Sequence, residues 1–167
     1  MILTKKEVLK EIKLGRIKIT PFSKKNLTGA SYDLTLDNKF REFKCEKIID
    51  IKERTNYKKH TKLITEKSLV LNPGEFILGV TKEKIKLPKD ICGFLSGRSR
   101  FARLGLAVHV TANFVQPNIN NVQVLEIKNL SEMPIKLYAG VKVCQIIFSR
   151  TEGQAKYKGM FGKQKSV

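Results

Sequence analysis

Polar and apolar positions change rhythm once along the chain. Between residues 4 and 15 the apolar side chains Val8, Leu9, Ile12 and Leu14 recur at helical spacing, which gathers them on one face. Thr4 followed by Glu7 has the form of a capping box, and Gly15 is a natural terminator, so one short N-terminal helix is expected. From Ile17 onward the pattern shortens to runs rich in Ile, Val, Thr and Phe, broken by Asp-Asn, Asn-Pro-Gly and Leu-Pro-Lys-Asp turns. It predicts strands over residues 31–36, 40–43, 62–70, 76–80, 91–95, 106–114, 122–128, 135–138 and 141–148. So many short strands at close spacing predict a mainly β sandwich or barrel. Residues 52–61 are polar and read as a surface loop. Residues 151–167, with Gly153, Gly159 and Gly162 among Lys and Gln, read as a mobile tail.

At 167 residues the chain has room for one well-buried core, so a single domain is expected over 1–167. No apolar run approaches a membrane span, and the first residues lack the apolar stretch of an export signal. A cytoplasmic protein without a membrane partner is the expectation. Cys45, Cys92 and Cys144 are odd in number and far apart, which suits reduced thiols rather than a disulfide framework. The formal charge of +18 attracts phosphates of any kind. Its lysines are scattered and no ladder of aromatics accompanies them, so specific nucleic-acid binding is not expected. A Lys- and Ile-rich genome would impose the same bias.

The chemistry concentrates in two places. Between Ser96 and Gly105 three arginines stand among small residues directly after the apolar run Ile91 to Leu95. A strand there delivers the chain to Gly97, and Arg98, Ser99 and Arg100 fall at the start of a short helix, where free N–H groups and arginine forks favour phosphate. Ser99 and Arg103 lie one helical turn apart and share a face. The alternative is a solvated basic helix. The second place is Glu126, which alternation sets on one face with Val122 and Val124. Apolar neighbours would disfavour its charged form and make it a proton shuttle near neutral pH; an edge-strand Glu facing water is the alternative. Zinc chemistry of the nucleobase-deaminase kind needs His-x-Glu with Pro-Cys-x-x-Cys, and the chain has no Cys-x-x-Cys and only His60 and His109. No metal-ligand cluster is expected. His109 fits a hydrogen-bonded strand histidine as well as a ligand contact.

Taken together, Ala30-Ser31-Tyr32-Asp33-Leu34-Thr35-Leu36, Pro73-Gly74-Glu75-Phe76, Gly97-Arg98-Ser99, Ala102-Arg103-Leu104-Gly105-Leu106, Val108-His109-Val110-Thr111-Ala112, and Leu125-Glu126 with Asn129 resemble the dCTP deaminase branch of the dUTPase superfamily. The resemblance spans nearly the whole chain. It implies a distorted jelly-roll β-barrel, a homotrimer with sites between subunits, and zinc-free deamination of dCTP to dUTP and ammonia. It further implies Glu126 as the residue that activates water and shuttles protons, with Ser99 and Arg103 holding water, base and Glu126 in register. Arg98, Ser99 and Arg100 would cradle the triphosphate and its magnesium. Groups near Thr111, Ala112, Val124 and Leu125 would read base and sugar, and dTTP would be a feedback inhibitor.

Tyr157, Phe161 and Gln164 resemble that family's C-terminal lid, with Met160 where a basic residue is usual and Lys158 or Lys163 available to replace it. The same tail fits a disordered basic end. The chief departure is at Gln116, Asn118 and Asn121, where the superfamily usually has Asp-Pro-Gly and a later Gly. Asn tolerates the left-handed backbone that Gly would adopt. Gln116 keeps a hydrogen-bond acceptor for the sugar 3′-hydroxyl but loses the charge that dUTP hydrolysis uses. Deamination to dUTP is therefore the leading expectation. A dUTP diphosphatase or bifunctional enzyme yielding dUMP and diphosphate is the alternative, and a non-catalytic nucleotide-binding trimer the third.

Overall fold

The computed structural model describes residues 1–44 and 48–167. Helix α1 (Lys5–Lys13) is followed by β1 (Lys18–Thr20), β2 (Tyr32–Phe43), β3 (Thr61–Thr65), β4 (Ser68–Leu71), β5 (Phe76–Lys86) and β6 (Ile91–Gly97). A one-turn helix, α2 (Ser99–Ala102), leads to β7 (Leu106–Ala107), β8 (Phe114–Val115), β9 (Asn120–Asn129), β10 (Ile135–Tyr138) and β11 (Lys142–Arg150). The fold is mainly β with one short N-terminal helix. No helix among the described residues is long and apolar enough to cross a membrane.

The main sheet runs β7-β9-β5-β2-β11-β6-β8, with β1 added to β5 and β3 to β2, while β10 and β4 form a separate pair. Its two outer strands are joined by residues 108–113, so the sheet must curl until its ends approach. Inside the curl Tyr32, Leu34, Leu36, Phe40, Leu125, Ile127, Ile146 and Phe148 are fully buried. Strand β9 alternates along its whole length, with Asn121, Gln123, Leu125, Ile127 and Asn129 buried and the residues between them part-exposed. The Asn129 side chain donates to Leu71 O at 2.9 Å and to Met133 O at 2.8 Å, which pins the end of β9 to the β4–β10 pair.

Helix α1 starts after Thr4 and ends before Gly15, whose φ is 69°. The Thr4 side chain makes no capping bond, so the helix is held by packing of Val8 and by Glu11 rather than by its cap. Glu11 is 2% exposed and accepts from Arg16 Nε at 2.6 Å and Arg150 Nη2 at 2.7 Å, and Arg16 reaches Asp90 at 2.6 Å. Burial pushes the Glu11 carboxyl up, but the two guanidinium partners outweigh it and hold the group below its usual range. A depressed folded-state pKa stabilises above the ordinary carboxylate pKa, and that contribution is lost as pH falls through the folded value. Glu11→Ala is expected to cost about 2 kcal/mol at pH 7, discounted because both arginines are a third exposed. Urea unfolding across pH should show the difference from wild type shrinking to nothing in acid.

Several expected elements are redrawn by the structure. The runs at 31–36 and 40–43 are one strand, β2, whose register shifts between Leu36 and Phe40 absorb the Asp37-Asn38 pair that reads as a turn. Residues 62–70 split into β3 and β4, and β1 was not foreseen. The predicted strand at 106–114 survives only at its ends, as β7 and β8. Cys92 and Cys144 are free and buried; Cys45 lies outside the described residues. The tail expected to be mobile is packed: the Val167 side chain is 1% exposed against Leu78 and Val80.

Candidate active site

Residues 108–113 lose their strand character because a side chain takes their hydrogen bonds. Glu126, on the part-exposed face of β9, turns its carboxylate to this segment. Its Oε2 accepts the backbone N–H groups of Val110 at 2.9 Å, of Thr111, and of Ala112 at 3.1 Å. The Thr111 hydroxyl donates to Oε1 at 2.8 Å. Three successive amides thus form a concave anion cradle. Burial raises the carboxyl pKa, but these bonds from Thr111, Ala112 and Val110 outweigh it and lower it overall. The expectation of a carboxylate made neutral by apolar neighbours is corrected here. Glu126 is ionised at neutral pH and ready to accept a proton.

The carboxylate opens onto a cavity of about 550 Å³, in the size range of small-molecule sites. Of the residues expected at a ligand, Glu126, Ala112, Gln116, Val124, Tyr157 and Gln164 line it together. Thr111 joins them through Glu126. Leu125 does not, since it is completely buried on the opposite face of β9. Gln116 follows β8 in the turn where Asn118 adopts φ 61°, the left-handed conformation expected for a glycine substitute.

The arginine segment lies elsewhere. Arg98 precedes α2, and its guanidinium is engaged with Asp33 at 3.2 Å and with Lys142 O at 3.0 Å. Ser99, Arg100 and Arg103 are exposed, and none lines the cavity of its own chain. Ser99 and Arg103 are one turn apart as expected, with Arg103 N donating to Ser99 O at 3.1 Å. His109 accepts the Gly97 N–H on Nε2 at 3.2 Å and so ties residues 108–113 to the start of this segment.

Sequence reasoning missed the aromatic wall. Phe43, Tyr57, Phe76 and Phe114 line the cavity with Phe161. Tyr57 sits in the polar stretch read as a surface loop, with the Arg41 guanidinium 5.8 Å from its ring centre and Phe161 6.4 Å away. One aromatic side chain among lysines was the available signal. Asn121 and Gln123, also at the cavity, were read only as turn and strand residues.

A β-curl whose inner cavity holds an amide-cradled glutamate, with a Gly-Arg-Ser helix start outside it, defines a class of nucleotide-handling β-barrels, and comparison with known proteins places it. The family model described as dCTP deaminase-like matches residues 2–151, and the chain belongs to that family. A protein of Methanosphaera stadtmanae named "dCTP deaminase, dUMP-forming" is 36% identical, the match covering 99% of this chain and 92% of the relative. One of the same name from a Nocardioides species is 35% identical with the same coverage. Among solved structures, the 2′-deoxycytidine 5′-triphosphate deaminase of Agrobacterium tumefaciens superposes with a TM-score of 0.71 at 19% identity, over 88% of this chain. This chain spans about half, 48%, of that one. A dUTPase from phage phi11 of S. aureus gives 0.54 at 12% identity, over 86% of this chain and 96% of the other. The fold is thus of the dUTPase-like type.

Proposed function

We propose that this protein deaminates dCTP by zinc-independent hydrolysis. The observation that carries the reading is Glu126, an ionised carboxylate held by three backbone amides and a threonine hydroxyl at the wall of a nucleotide-sized cavity. As water attacks C4 of cytosine, Glu126 takes one of its protons and delivers it to the ring nitrogen N3. A second proton then passes from the new hydroxyl to the amino group, the C4–N bond breaks, ammonia leaves and C4 becomes a carbonyl. The water supplies oxygen to uracil and hydrogen to ammonia, so the step balances without an oxidant.

Ser99 and Arg103 face solvent in the single chain, away from its own cavity, while Glu126 has no cation bonded to it. A neighbouring copy presenting its α2 segment would complete the site. A homotrimer, as the resemblance implies, would satisfy all three cavities. Arg100 and Ser99 would then meet the triphosphate, which arrives with its magnesium as part of the substrate. The cytoplasm, where free nucleotides are found, is the proposed location, and dTTP the proposed competitor for the same cavity.

A second reading concerns the product. The relatives' names support release of dUMP and diphosphate after deamination. Gln116 weighs the other way, because an uncharged carboxamide stands where a second carboxylate would orient the second water. Incubation with dCTP and magnesium, with nucleotides resolved by anion exchange and ammonia and diphosphate assayed in parallel, decides between them. Stoichiometric dUTP and ammonia would establish the simple deaminase. dUMP with one diphosphate per ammonia would establish the second reading. Nucleotide binding without ammonia would leave a non-catalytic binding protein and overturn both.

A further inference from the structure

A directed chain of buried amides runs from the core to the tail. The Thr81 hydroxyl on β5 accepts the Gln123 N–H at 3.0 Å, and the Gln123 side chain donates from Nε2 to Asn121 Oδ1 at 2.8 Å. With its oxygen so occupied, the Asn121 carboxamide has one orientation, which turns Nδ2 outward to donate to Phe161 O at 2.7 Å. Asn121 and Gln123 are each 6% exposed, so an error of orientation would leave a buried polar atom unpaired. Around this bond the tail adds to β9 as a short strand-like segment. The N–H groups of Asn120 and Val122 donate to Gly162 O at 2.9 Å and Gln164 O at 3.3 Å, and Gln164 Nε2 donates back to Val122 O at 3.0 Å. Phe161 completes the contact against Tyr57. A glycine at position 121 would supply no donor for the Phe161 carbonyl.

From this geometry we infer that Asn121 and Gln123 are positioning residues that latch the tail onto the cavity before nucleotide arrives. The tail is then a standing wall of the substrate pocket, and Tyr157, Phe161 and Gln164 are seated in advance. The ordering cost that a loose tail would deduct from substrate affinity is met in folding instead. The latch concerns the same cavity as the deaminase reading, but it is measurable without turnover.

Hydrogen exchange provides the test, because the Asn120 and Val122 amides have their acceptors on the tail. Asn121→Asp keeps the bond from Gln123 and sets an oxygen against the Phe161 carbonyl. In this variant both amides should exchange about tenfold faster than in wild type, the scale of one buried hydrogen bond. Gln123→Met, which frees the Asn121 carboxamide to rotate, should give about threefold and guards against a misfolded aspartate variant. Thermal melting checks that both are folded. With dCTP, Asn121→Asp should raise KM more than it lowers kcat, a split that general destabilisation would not produce. Folded variants whose Asn120 and Val122 amides exchange at the wild-type rate would overturn the latch. Faster exchange in a protein that never turns over dCTP would support it while removing the deaminase reading.

Discussion

Glu126→Gln is expected to lower dCTP deamination by at least about a thousandfold, within the range that a positioned acid–base group supplies, while nucleotide binding changes little. The substitution preserves size and leaves an oxygen for the amides of residues 110–112, but a carboxamide cannot take the proton of the attacking water. Ammonia release and nucleotide binding measured side by side would check it, and a turnover within tenfold of wild type would remove Glu126 from the chemistry. The cradle also sets the pH response. Because the base acts in its ionised form and its pKa is lowered, activity should persist as pH falls to the ordinary carboxylate range, with the acid limb below it. Thr111→Val removes the hydroxyl bond to Oε1 and should move that limb upward. An unmoved limb would mean that another group controls it.

Glu126 shows what a linear reading can and cannot recover. Its position on one face with Val122 and Val124 follows from strand alternation alone, since the period of two is a property of the backbone. Its protonation does not follow, because the deciding donors are amides sixteen to fourteen residues earlier in the chain, brought to it by the curl of the sheet. The same contact explains the misread strand at 106–114: its apolar composition suits a strand, but its N–H groups are spent on a side chain. Tyr57 was illegible for a related reason, as only the pairing of β2 with β3 carries it to the cavity. The arginine segment was legible as a helix start, and its separation from Glu126 within one chain was not, because periodicity says nothing about which copy supplies a site. Asn118 was read correctly, since its left-handed backbone depends on residue type more than on neighbours.

Arg98→Ala is expected to destabilise the fold by about 3 kcal/mol, the low end for breaking a buried ion pair. Asp33 is 6% exposed on β2, and Arg98 is the cation paired with it among the described residues. Truncation would leave that carboxylate buried beside Glu83, itself 3% exposed, and would free the Lys142 carbonyl on β11 as well. The cost is therefore paid by two strands that the arginine joins to the start of α2. Arg100→Ala, an exposed neighbour two residues on, should stay within about 0.5 kcal/mol. Chemical denaturation of both variants, with Asp33→Ala and the double variant to close the cycle, separates loss of a partner from loss of packing. If the pair is the cause, removing Asp33 as well should recover part of the loss. Equal stability of Arg98→Ala and wild type would show that Asp33 is satisfied without it. Since Ser99 follows directly in the chain, loosening Arg98 should also misplace the helix start that a neighbouring copy needs, so deamination should fall in the folded variant even though Glu126 and its cradle are intact.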